Sequence, residues 1–300
     1  LKLLLTTLLA CASIGVTDAD EMAGPVPAAV ISDPPADPLF PPHSAQVIVP
    51  SQGQGMNGLF YLAAGAGSHP TVVLLHGFPG NEQNLDLAQA VRRAGWNVLT
   101  VHYRGSWGSP GVFSIRHALE DVDAAVRFVR RVDIAEKFGI DTRRIVLGGH
   151  SMGGFASASH ARNDQHLLGV FLIDAWNAGK NGEELAKVSG PARRAVAEKE
   201  FDDIGNSLYG ATAASTAEEL VTHRKDWDFL GWAGGLTRSP LLVIGASKAG
   251  GEENRRLAET VAREGGYVTA LTLPSDHSFQ DHRIALAAAL VDWLQKLPTP

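Results

Sequence analysis

The stretch "RRIVLGGHSMGGFASA", residues 143–158, runs from a short apolar segment through a glycine-flanked serine into a row of small residues. An apolar run closing on glycine reads as a buried strand, and the small residues beyond it read as a helix. Ser151 then stands on the turn between them, at the carboxyl end of a strand, where side chains of a parallel sheet do their chemistry. Gly149 and Gly153, two residues either side, permit a sharp turn that lifts the hydroxyl above the sheet. The helix that follows aims its N-terminal amides at negative charge developing beside the serine. The G-x-S-x-G pattern alone is weak. In a strand–turn–helix setting it marks a nucleophile.

The chain on both sides keeps that alternation. "AQVIVP" and "GLFYLA" flank the turn-forming "SQGQGMN" and read as a hairpin. "TVVLLHG" is a continuous apolar run, as expected of a strand buried on both faces. "LDLAQAVRRAG" is helical and closes on Gly95 before strand "WNVLTVHY". Val122, Val126 and Val129 form an apolar stripe that predicts a helix within 117–138. After the serine come helix "FASASHA" and strand "GVFLID". Strand "PLLVIGA", helix "EENRRLAETVAREGG", strand "YVTALTLP" and a helix from Asp281 to Leu297 finish the pattern. Residues 175–237 break it with helical pieces and no strand, which predicts a helical insertion after the sixth strand, over the sheet edge. The whole predicts an α/β fold: a mostly parallel sheet with helices on both faces, spanning 44–297.

A composition 45% hydrophobic and 19% charged suits a globular protein with a sizeable core. The net charge of −6 leaves no basic footprint for nucleic acid, and 7% aromatic content offers no stacking platform. Residues 18–43 are rich in Pro and Ala and read as a linker or an arm over the surface. Residues 1–17 open with Lys2, an apolar run and small residues, the layout of an export signal. The run is shorter than the roughly 20 apolar residues a bilayer requires. Ala10-Cys11-Ala12 fits a simple cleavage site. Leu8-Leu9-Ala10-Cys11 resembles a bacterial lipobox with Cys11 as lipid anchor, although Leu9 is not the usual small residue there. Both predict a protein that is periplasmic, secreted or anchored.

From Ser44 onward the sequence resembles the α/β-hydrolase superfamily, nearest to its dienelactone-hydrolase and prolyl-oligopeptidase-like members. "HGFPG", 76–80, resembles the family's oxyanion loop, which implies the amides of Phe78 and Met152 as the two oxyanion donors. "YRGSWGSPGVFS", 103–114, resembles a loop that walls the family's pocket. Tyr103, Trp107 and Trp176 are the expected pocket residues. His277 in "LPSDHSFQDHR" follows the last strand, where the family carries its base. His76 and His150, in the glycine loops, read as pocket-wall or hydrogen-bonding residues rather than bases, since neither falls where the base belongs. Asp276-His277 and Asp281-His282 look like a ligand cluster, but no other His or Cys grouping has metal spacing. Asp281 is better read as capping or opening the last helix, with His282 on its first turn. No metal and no cofactor are expected.

The acid is where the sequence departs from the family. The resemblance puts a carboxylate just after "PLLVIGA", yet the residues there are "SKAGGEEN", with Lys248 at about the expected place. Three readings stay open: Asp174 at the end of "GVFLID", Glu252 or Glu253 reaching back from the next helix, or no acid. The resemblance implies a serine hydrolase that cleaves a small-molecule ester, or an amide, through an acyl-serine. A serine peptidase on short peptides and a hydrolase fold kept as a binding protein are the alternatives.

Overall fold

The computed structural model describes residues 15–18, 25–205 and 207–298. Among them nine strands form one sheet: β1 (Gly15–Asp18), β2 (His43–Ser51), β3 (Gln54–Leu62), β4 (His69–Leu75), β5 (Asn97–Val101), β6 (Ile140–His150), β7 (Gly169–Ile173), β8 (Leu241–Ala246) and β9 (Val268–Leu273). The helices are α1 (Ala28–Ile31), α2 (Leu85–Arg93), α3 (Ile115–Val129), α4 (Val132–Phe138), α5 (Met152–Ala161), α6 (Ala178–Ala186), α7 (Gly190–Glu200), α8 (Ala213–His223), α9 (Ala233–Leu236), α10 (Gly251–Arg263) and α11 (Arg283–Lys296). The strand order is β1-β9-β8-β7-β6-β4-β5-β3-β2. Pairing is parallel from β1 to β5 and antiparallel where β3 joins β5 and β2 joins β3.

The apolar run of β4 shows why the sheet is covered twice. Successive side chains point to opposite faces. Val73 and Leu75 join the core that α3, α5 and α10 cover. Val72 and Leu74 join the one that α2 and α11 cover. Such a strand is stable only between two helix layers. The β2–β3 hairpin turns on Gln52 and Gly53, both with positive φ, which matches the twist of the paired strands.

Several boundaries differ from the sequence reading. Residues 117–138 hold two helices, α3 and α4, because the backbone turns extended at Arg131. That break lets Phe138 pack on buried Phe60, ring centroids 4.7 Å apart. Helix α11 starts at Arg283, and His282 occupies its N-cap position without a capping bond. Asp281 is engaged elsewhere: it accepts from Ser275 Oγ and from His282 Nδ1. The segment 25–42 holds the single turn α1, whose carbonyls at Ala29 and Val30 receive Arg93. The export-signal and Cys11 readings fall on residues 1–14, outside the described residues, apart from Gly15–Thr17 in β1.

Between β7 and β8 the described residues are helical: α6 to α9 with two short 3₁₀ turns. This insertion is stitched to the loop after β5. Tyr209 N–H donates to Gly105 O at 2.7 Å, Phe113 N–H to Tyr209 O at 2.9 Å and Trp107 N–H to Ser207 O at 3.1 Å. The loop itself is pinned from below, where the Arg104 side chain meets buried Asp121 at 2.5 Å.

Candidate active site

The turn after β6 holds Ser151 at φ 56° and ψ −119°, a backbone region that L-residues enter only when their surroundings impose it. Two contacts impose it. Ser151 N–H donates to Ile173 O on the neighbouring strand at 2.9 Å, and Trp176 N–H donates to Ser151 O at 3.1 Å. The flanking glycines are required by proximity rather than by φ. A Cβ at Gly149 would stand 2.4 Å from Leu75 O, and one at Gly153 2.3 Å from the same oxygen. The end of β4 therefore lies directly under the turn, which brings the "HGFPG" loop against the serine. A Cβ at Gly77 would meet Ser151 Cβ at 2.9 Å. Among the described residues neither Phe78 N–H nor Met152 N–H donates to a protein acceptor.

His277 follows β9, and its Nδ1 lies 2.5 Å from Asp174 Oδ2. A carboxylate can only accept, so Nδ1 carries the proton and Nε2 keeps its lone pair. Asp174 has a fully buried side chain. Its Oδ1 accepts from Ala246 N–H at 3.0 Å and its Oδ2 from Gly250 N–H at 3.1 Å. Two amides and the imidazole satisfy a buried charge that would otherwise be costly. Asp174 also has a positive φ of 40°, unusual for a residue other than glycine.

The other acid candidates are occupied. Glu252 is on the solvent side of α10, bound by Arg255 and Arg256. Glu253 pairs with Lys180 at 2.5 Å and with Arg256 at 3.4 Å. Lys248 is 3.7 Å from Asp281 Oδ2, and both are exposed. Asp276 accepts from Gln280 N–H at 3.1 Å.

Ser151, Asp174 and His277 line one cleft of about 330 Å³, with Trp176 and Asn177 as walls and Lys180, Asn181, Glu184 and Glu253 around its rim. Among the described residues Ser151 Oγ makes no hydrogen bond to the imidazole. Such contacts are commonly long in an unliganded site. A larger hollow of about 540 Å³ lies over β2, β3 and β5, lined by Ile48, Leu59, Leu85 and His102 among others. It holds no nucleophile–base pair. Chemistry, not size, selects the smaller cleft.

Two expected pocket residues lie elsewhere. Tyr103 is fully buried, and its hydroxyl donates to His76 O at 3.0 Å, so it props the "HGFPG" loop from beneath. Trp107 donates its indole N–H to Pro79 O at 2.9 Å, on the outer side of the same loop. Trp176 does line the cleft. Phe78 faces Trp176, Phe113 and Phe201, with centroids 6.5, 5.8 and 5.8 Å away.

His76 and His150 are buried, and burial pushes each imidazole down to about 4. The positive charge that His277 can acquire pushes His150 further the same way. His150 Nε2–H donates to His277 O at 2.7 Å, with the two rings 4.5 Å apart. His150 thus anchors the main chain of the base loop, a hydrogen-bonding role of the kind its place in the glycine loop suggested. Asn254 was missed. It is fully buried on α10 and bonds both the N–H and the C=O of Ala175. Its trace in the sequence is a polar residue in the apolar stripe of Leu257, Ala258 and Val261.

Comparison with known proteins agrees with this architecture. A family described as Alpha/beta hydrolase family matches residues 72–289. An uncharacterized protein of Mycobacterium tuberculosis is 29% identical over 132 residues, covering 44% of this chain and 43% of the relative. An uncharacterized 31.7 kDa protein of Escherichia coli is 31% identical over 119 residues, covering 38% and 40%. The match spans less than half of either relative. Among solved structures, a hyperthermophilic esterase of Pyrobaculum calidifontis superposes with TM-score 0.62 at 17% identity, covering 86% of this chain and 87% of that one. The metagenomic carboxylesterase EstE1 gives 0.61 at 20%, covering 91% and 93%. An acylaminoacyl peptidase of Pyrococcus horikoshii gives 0.62 at 16%, covering 87% and 42%. At these identities the structural likeness is one of fold. The family match, over well more than half of the sequence, settles membership: this chain belongs to the alpha/beta hydrolase family.

Proposed function

We propose that the chain is a serine hydrolase that cleaves a small carboxylic ester through an acyl-serine intermediate. The observation that carries the reading is the 2.5 Å contact between His277 Nδ1 and buried Asp174, on the same cleft as Ser151. With Nδ1 protonated, Nε2 is free to take the Ser151 proton as Oγ attacks the ester carbonyl. The carbonyl oxygen becomes an oxyanion that the Phe78 and Met152 amides can hold, and losing one such donor typically costs about 3 kcal/mol of barrier. The tetrahedral intermediate expels the alcohol, which leaves with the proton from Nε2. Water then attacks the acyl-serine, giving its proton to Nε2, and the acid departs as that proton returns to Ser151. Asp174 stays ionised throughout and stabilises the imidazolium formed in each half.

The cleft, at about 330 Å³, is near the small end of ligand sites and favours a short acyl group against Trp176. The esterases among the similar structures support the ester reading over an amide. The Asp174 contact supports turnover over a binding role, which drew its weight from a missing acid. We further propose export, from the Lys2 and apolar segment, with intact mass of the native protein deciding between cleavage at Ser13 and a lipid on Cys11. The function is tested with p-nitrophenyl esters of increasing chain length: the parent should prefer the short ones, and Ser151→Ala should lose turnover while melting at the same temperature. Undiminished hydrolysis by Ser151→Ala contradicts the proposal.

A further inference from the structure

Helix α10 buries Gly251, Asn254, Leu257, Ala258 and Val261 against the sheet. An asparagine in that row forgoes the apolar burial its neighbours contribute, so its polar atoms need a reason to be there. Asn254 Oδ1 accepts from Ala175 N–H at 2.9 Å. Its Nδ2 donates to Ala175 O and to Gly250 O, each at 3.0 Å. Three side-chain bonds thus close on two residues. Ala175 follows Asp174 directly, and Gly250 is one of the two residues whose amides hold the Asp174 carboxylate.

The turn so clamped is one that would not keep its shape unaided. Asp174 sits at φ 40°, a conformation that typically costs 1–3 kcal/mol and persists only where surrounding bonds over-determine it. Its own N–H is tied to Ile244 O at 2.6 Å, and the amide two residues on, at Trp176, is tied to Ser151 O at 3.1 Å. Ala175 is the residue between those ties. Both of its backbone polar groups go to Asn254. We infer that Asn254 is a positioning residue, which fixes the turn after β7 so that the Asp174 carboxylate meets the imidazole of His277. This rests on the serine-hydrolase reading for its consequence in rate, though not for its geometry.

The test is a cycle of Asn254→Ala, Asp174→Asn and the double variant, with Asn254→Ser as the gentler substitution should Asn254→Ala not accumulate folded. Two quantities are read on each: kcat and KM for a short ester, and the far-downfield proton resonance of the His277 Nδ1–H bonded to carboxylate. A displacement of about an ångström far from the chemistry can cost about 10²-fold in rate. Asn254→Ala should therefore lower kcat by about 10²-fold with KM little changed, and weaken or shift the proton resonance. On the Asp174→Asn background the same substitution should add almost nothing. A folded Asn254→Ala with parental kcat and resonance overturns the inference. So does an equal loss on both backgrounds, which would mean that Asn254 acts on the fold and not through the acid. The resonance depends on the contact between His277 and Asp174 and not on turnover, so failure of the esterase reading leaves this test intact.

Discussion

The ends of β7 and β8 are neighbours in register, Ile173 beside Ile244, yet they do opposite things. The end of β7 supplies the carboxylate, Asp174. The end of β8, where the family resemblance led us to expect an acid, supplies backbone amides at Ala246 and Gly250 that receive that carboxylate. Its one charged side chain, Lys248, turns out to Asp281. The acid of such a site is thus defined by what reaches Nδ1 of the base, not by which strand carries it. The strand that gives up the side chain still contributes its main chain.

The sharpest way to break this contrast is to neutralise each end in turn. Asp174→Asn should lower kcat by roughly 10⁴-fold, the loss known when an Asn replaces the Asp of a Ser-His-Asp triad. Glu252→Gln, on the exposed face of α10, should leave kcat at the parental value. Equal kcat for Asp174→Asn and the parent, in steady-state assays of the purified proteins, would remove Asp174 from the site.

A finer probe is Gly250→Ala. The φ of −79° there suits alanine, so only the added methyl matters. It would lie 3.0 Å from Asp174 Oδ1 and 3.3 Å from Asn254 Nδ2, forcing the carboxylate to give by a few tenths of an ångström. A loss of about tenfold in kcat at unchanged melting temperature is expected. No change in rate would show that the β8 end does not register the acid.

The smallest effect concerns the buried histidines beside the turn. His150 and His76 are neutral in the fold, with values pushed from 6.5 down to about 4. Unfolded, each binds a proton near pH 6.5. Stability should therefore be fully present above that value and decline as pH falls from 6.5 towards 4, by about 1–3 kcal/mol for each histidine. Denaturant midpoints of His150→Gln should fall less steeply over that window than those of the parent. Parallel pH profiles would deny His150 this role.

Much of the fold was legible because each strand and helix shows its environment in its own pattern. "TVVLLHG" could only be a strand covered on both faces, and the serine turn followed from glycines between a strand and a helix. The candidate nucleophile and base were readable from order along the chain. The acid was not, because Asp174, Glu252 and Glu253 all stand at the ends of neighbouring elements. Only distances decide among them. Tyr103 misled because its loop resembles one that walls the family's pocket, whereas its hydroxyl points down to His76 O. Asp281 looked like a cap by spacing, yet Ser275 takes its carboxylate. Asn254 was visible only as a polar interruption of an apolar stripe, a pattern that also fits a harmless surface residue.

The most direct test of the central claim is the rate at which a fluorophosphonate labels the protein at neutral pH, with the adduct located by mass spectrometry. The account predicts one adduct, on Ser151, formed orders of magnitude more slowly in Asp174→Asn than in the parent. An adduct at another residue, no adduct on the parent, or equal rates for the two proteins would contradict it.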